Sequence, residues 1–192
     1  GRLDFDLGNN SSLFVSGYYG NDAFSFSSPQ TEFATDVTWG NRLVSAGYQK
    51  LISDDLVLKV NGSFTNYTFG FRGSQDEFNL EVESQITDYR FHPELSFKIG
   101  SHTFKTGLQY TFHDISPNNS SAVQGETTFD LGEQQQFYSH EGAAYISDVF
   151  DITDLWRIQA GLRISGFQHT GPFTRYLVDE SGNKQDTIRY SR

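Results

Sequence analysis

From Trp156 to Ser165 the chain alternates almost without error, with Trp156, Ile158, Ala160, Leu162 and Ile164 on one side and Arg157, Gln159, Gly161, Arg163 and Ser165 on the other. Successive strand side chains point to opposite faces, so this is a strand with an apolar face backed by a strongly polar one. The pattern recurs at Leu3, Phe5 and Leu7 against Arg2, Asp4 and Asp6. It recurs again at Leu56, Leu58, Val60, Gly62 and Phe64 against Lys59, Asn61, Ser63 and Thr65. Phe104, Thr106, Leu108, Tyr110 and Phe112 oppose Lys105, Gly107, Gln109, Thr111 and His113. Leu13 to Gly20, Trp39 to Ile52 and Phe137 to Phe150 supply further strands, the last alternating poorly. A small hairpin follows, with Tyr176-Leu177-Val178 facing Thr187-Ile188-Arg189.

Between Phe78 and Ile99 the apolar positions move from even (Phe78, Leu80, Val82, Ile86) to odd (Tyr89, Phe91, Leu95, Phe97, Ile99). A one-residue bulge near Thr87-Asp88 would reconcile the halves and leave Pro93 locally unpaired. Short turns are expected at Asn9-Asn10, Ser53-Asp54, Gly100-Ser101 and Ile152-Thr153. Long polar connections are expected at 21–38, 70–77 and 114–136 and from 170 onward. Short turns at one end and long loops at the other describe an up-and-down meander of the outer-membrane barrel kind. Aromatics divide the same way. Tyr18, Tyr19, Tyr67, Phe69, Tyr110, Phe112 and Phe167 lie toward the long-loop end, and Phe97, Phe104, Phe150 and Trp156 toward the short turns, as two girdles would.

Composition narrows the class. No apolar run reaches the roughly 18 residues of a membrane helix. A mean hydropathy of -0.51 is compatible with a barrel, where only alternate residues meet lipid. A net charge of -10 argues against a nucleic-acid partner. With 0 cysteines, disulfides, thiolate metal sites and cysteine catalysis are excluded.

Unpaired charge is costly in a dry core, so the arginines of the last long strand point to a wet lumen. Lys59, Asn61, Gln109, Arg157, Gln159 and Arg163 are the lumen-facing candidates, lining a path or contacting whatever fills it. Substrate-binding residues are expected on the loops, though the sequence does not single them out. His92, His102, His113, His140 and His169 are scattered without metal-ligand spacing. Glu81 and Glu83 share a strand face as an acidic wall, and Gly70 to Ser74 has neither the lysine nor the helix of a phosphate loop. No catalytic residue, metal or cofactor is expected.

Leu13 to Asp22 (LFVSGYYGND), Trp39-Gly40-Asn41, and Ala144-Tyr145-Ile146 through Gly161 to Ser165 resemble barrel strands of TonB-dependent outer-membrane receptors. The type resembled carries an N-terminal carboxypeptidase-like regulatory domain, and the likeness runs along nearly the whole chain. It implies a barrel of about 22 strands closed by a plug domain, coupled to the TonB protein for nutrient uptake. The expectation is therefore an all-β antiparallel meander of about eight strands, with residues 1–192 forming part of a larger transmembrane β-barrel in the bacterial outer membrane. The chain starts directly in a strand and stops within a hairpin, which reads as a segment of something longer. Lipid, the plug, TonB and a small-molecule or glycan substrate would be its partners. Two rivals stand: a complete eight-stranded barrel acting as pore or adhesin, and a soluble β-sandwich whose aromatics stack on sugar.

Overall fold

The computed structural model describes residues 1–131, 134–153, 155–171, 173–179 and 184–190. Every regular element among them is a strand: β1 (Arg2–Gly8), β2 (Ser11–Ser28), β3 (Phe33–Ser53), β4 (Leu56–Gln75), β5 (Phe78–Ile99), β6 (His102–Gln124), β7 (Thr127–Phe129), β8 (Phe137–Thr153), β9 (Trp156–Thr170), β10 (Phe173–Val178) and β11 (Lys184–Tyr190). One antiparallel sheet runs β1-β2-β3-β4-β5-β6-β8-β9, with β7 beside the end of β6, and β10 and β11 form a separate pair. The sheet is open. β1 and β9 are its edges, and neither pairs with the other. In β10–β11, Tyr176 faces Thr187 as the sequence suggests, while the turn expected at 180–184 lies largely outside the described residues.

The short turns share one end of the sheet, as a meander requires. Asn9 and Asn10 take φ of 48° and 58°, the left-handed values that a two-residue hairpin turn demands and asparagine tolerates. Gly100 does the same at φ 59°. These turns are also staggered. The closing pair Gly8–Ser11 lies on the row that runs through Lys50, Leu58, Leu95, Thr106 and Ile146 to Leu162. Leu56, which closes the next turn, lies on the row that reaches Ala160. The pair Ile99–His102 reaches Ile158, and the last turn closes at Trp156. Each hairpin thus steps down by about two residues, or one per strand, a stagger that corresponds to a tilt of about 36° once the turns are level.

The long connections at 21–38 and 70–77 are not loops, and the first part of 114–136 is strand. β2 and β3 pair without a break out to Ser28–Phe33, and β4 and β5 out to Gln75–Phe78, so 21–38 and 70–77 are the upper halves of hairpins. β6 likewise extends to Gln124 before turning at Gly125. Nor is there a bulge at Thr87-Asp88, since the β4–β5 ladder is continuous from Phe78 to Phe97. The register shift falls instead between β5 and β6, at Glu83/Gln85, where β6 makes room for Pro117. Pro93 has a partner in β4 but none in β6, as its missing N–H requires.

What changes midway is which face is apolar. In the half near the short turns, the row Val15–Ala46–Gly62–Phe91–Tyr110 lies on one face and Ser16–Ser45–Ser63–Arg90–Thr111 on the other. In the upper half the assignment reverses. Phe24–Val37–Phe71–Val82 continues the polar side, and Ser25–Asp36–Arg72–Glu81 continues the apolar one. The ladders of β2 to β5 have no shift between these rows, so the chemistry inverts while the backbone does not.

Candidate functional site

Two features define the lower half of the sheet: an exposed face that is mostly apolar, interrupted by Asp148 bonded to His102, and a polar face behind it. The apolar face has no core to join. Among the described residues only Ala122 and Ala143 are buried hydrophobics, whereas Leu108 and Val44, on interior strands, are 57% and 54% exposed. A water-soluble chain of this length buries far more. Aromatic rings bound that face at both ends. Phe64, Tyr89 and Phe112 stand at its upper limit, with centroids 5.3 and 6.3 Å apart. Phe97, Phe104, His102 and Phe150 stack at its lower limit, at 5.2, 5.7 and 4.2 Å. Tyr19 and Tyr110 belong to the upper girdle, but Tyr18, Tyr67, Phe69 and Phe167 fall on the opposite face and leave it. From Phe104 to Phe112 is about 27 Å along a strand. At the tilt above that projects to about 22 Å, near the ~25 Å apolar band of an outer-membrane barrel.

Lys59, Asn61, Gln109, Arg157, Gln159 and Arg163 all lie on the polar face. The structure joins two of them: Arg163 Nη2 donates to Gln109 Oε1 at 3.1 Å, reaching back across β8. Arg157 pairs instead with Asp151 beside the last turn. Lys59 and Asn61, on β4, are separated from Arg163 by β5, β6 and β8.

At the centre of this face is a group the strand pattern did not single out. Tyr145 Oη donates to Glu94 Oε2 at 2.8 Å and lies 2.8 Å from His92 Nε2. With the tyrosine proton committed to Glu94, the imidazole Nε2–H is the donor to Tyr145. The ring lies over Gly107, where a Cβ would meet Tyr145 Oη at 2.5 Å. Alternation assigns residues to faces, but only register shows that Tyr145 of β8 opposes a glycine of β6.

Several other titratable residues pair with neighbours on adjacent strands. His113 bonds Asp88 at 2.7 Å, with Glu141 at 3.7 Å, and His102 bonds Asp148 at 2.7 Å. Arg72 Nε donates to Glu81 Oε1 at 2.6 Å, on the side of the upper sheet that is apolar lower down, and this hydrogen bond to Glu81 raises the Arg72 guanidinium above its ordinary value. Among the described residues no cluster of three or more His, Asp or Glu could hold a metal ion.

No family model matches the chain, and no curated protein matches it. Among solved structures it is similar to the crystal structure of the ferric citrate transporter FecA in the unliganded form, at 12% identity and a TM-score of 0.47 over 97% of this chain. The chain spans about a third of that protein, which it covers to 36%.

Proposed function

We propose that this chain is a section of the wall of a TonB-dependent outer-membrane receptor barrel. It takes part in energy-coupled uptake of a nutrient such as an iron chelate, vitamin or glycan. The observation that carries the membrane assignment is the exposed apolar band between two aromatic girdles, on strands whose stagger gives a barrel's tilt. The apolar face meets lipid, and the polar face lines the lumen, where a plug domain and the passing solute contact it. Above the band the outer face turns polar because it meets water, and the inner face turns aromatic because it lines a vestibule. The role is positional: the wall holds the plug and the upper hairpins meet the solute, with no chemistry done on it.

Two rivals fare worse. A complete eight-stranded barrel requires β1 to pair with β9, which it does not. A sandwich requires a second large sheet against the first, and the only other sheet among the described residues has two strands.

The absence of cysteine makes a labelling test clean. In the protein folded into lipid vesicles, Leu58→Cys and Leu162→Cys should resist an aqueous maleimide, while Lys59→Cys and Gln159→Cys should react. Equal reactivity on the two faces would refute the membrane wall.

A further inference from the structure

The lumen face carries a pocket of about 390 Å³, lined by His92, Gln109, Tyr145, Ser147, Gly161 and Arg163. Three acceptors at or beside its wall are engaged internally. Gln109 Oε1 takes the Arg163 hydrogen bond, Tyr145 Oη takes the His92 proton, and Glu94 Oε2 takes the Tyr145 proton. Its donors are left over. Arg163 spends Nε on Ser165 at 3.3 Å and one Nη2 proton on Gln109. That leaves the terminal Nη1–Nη2 edge of the guanidinium, whose parallel N–H groups fit a carboxylate in bidentate fashion. The Gln109 amide nitrogen adds donors beside it. Among the described residues no carboxylate lies within ion-pair distance of Arg163. The side chain does not reach for the open edge of the sheet either; it folds inward over β8, whose Ala143 is small enough to let it pass. Glu94 is the nearby negative charge, and one of its oxygens is held by the Tyr145 hydroxyl.

We propose that Arg163 and Gln109 form a binding site for the carboxylate of a small organic acid on the inner wall. The site rests on the reading of this face as a lumen. The same pocket seen from a channel is where an anionic solute would pause, held by a planar fork rather than by a point charge.

The test uses succinate as the probe and its uncharged diamide as the control, on the full chain in detergent micelles, with guanidinium ¹⁵N resonances as the readout. Succinate should shift the Arg163 signals in a saturable way and the diamide should not. Arg163→Gln should weaken succinate binding more than 10-fold and Arg163→Lys more than about 3-fold, since lysine keeps the charge but loses the fork. Lys59→Gln, which removes an equal charge elsewhere on the same face, should change it less than 2-fold. Equal losses for Arg163→Gln and Lys59→Gln would reduce the effect to general charge attraction and overturn the site. So would competition by the diamide, or full binding by Arg163→Lys. Circular dichroism of each variant separates loss of the site from loss of the sheet. Because the measurement needs no bilayer, its failure leaves the membrane wall standing, and failure of the labelling test leaves this site measurable.

Discussion

Val60→Arg destabilises the protein folded in lipid vesicles by about 2–4 kcal/mol, the cost of a cation near the bilayer midplane on the lipid face of a barrel. Val60 stands midway between the girdle positions at Leu56–Phe97 and Phe64–Tyr89. Leu58→Arg and Leu162→Arg, each nearer one limit of the band, fall toward the lower part of that range. Lys59→Leu and Gln159→Leu, on the lumen face, change stability by about 0.5 kcal/mol or less. Ser74→Arg sits on the same face as Val60 but above the girdle, among Ala34 and Asn79, and is also nearly neutral. The contrast between Val60 and Ser74 matters most, because one strand then reports both the bilayer and its upper limit. Urea titrations in vesicles measure all six. Equal costs at Val60 and Ser74 would mean that the inversion of polarity along β4 does not mark the edge of the membrane.

Gly107→Ala costs about 1–3 kcal/mol, a large effect for one methyl group, because overpacking forces its neighbour out of place. The added carbon would come within 2.5 Å of Tyr145 Oη and 2.6 Å of Cζ, so the ring must lift away from the strand. Lifting it breaks the bonds to Glu94 and His92 together. Gly142→Ala and Gly166→Ala, which meet nothing within 4 Å, are neutral or slightly stabilising, since glycine is a poor strand residue. In a Tyr145→Ala background the Gly107→Ala cost falls away, as a double-mutant cycle would show. A cost that persisted in that background would place the strain in the backbone instead.

The meander, the four short turns and the faces of the cleanly alternating strands were legible in the sequence because strict alternation over five or more residues permits little else. The upper hairpins were not. Asn21 to Thr38 resembles a loop because its Phe24, Phe26 and Val37 sit on the side that is polar lower down, so the period breaks where the surroundings change. The same reversal in β5 imitates a bulge. Alternation records a contrast between two environments, and when both change together the pattern slips although the ladder does not. Contacts on the polar face were beyond reach for a different reason. Lys59 and Arg163 carry the same signal in the sequence, and only the order and register of the strands show that Arg163 meets Gln109 while Lys59 stands apart.

The chain contains 2 tryptophans, and they fall on opposite faces. Trp156 lies on the apolar face at the short-turn end, and Trp39 on the inner face above the band. In vesicles made with lipids brominated near the upper part of the acyl chain, a Trp39→Phe variant, which keeps only Trp156, should lose much of its fluorescence. A Trp156→Phe variant, which keeps only Trp39, should emit as it does in unbrominated lipid. Quenching of Trp39 with Trp156 spared, or of both alike, would contradict the assignment of the faces and with it the membrane wall.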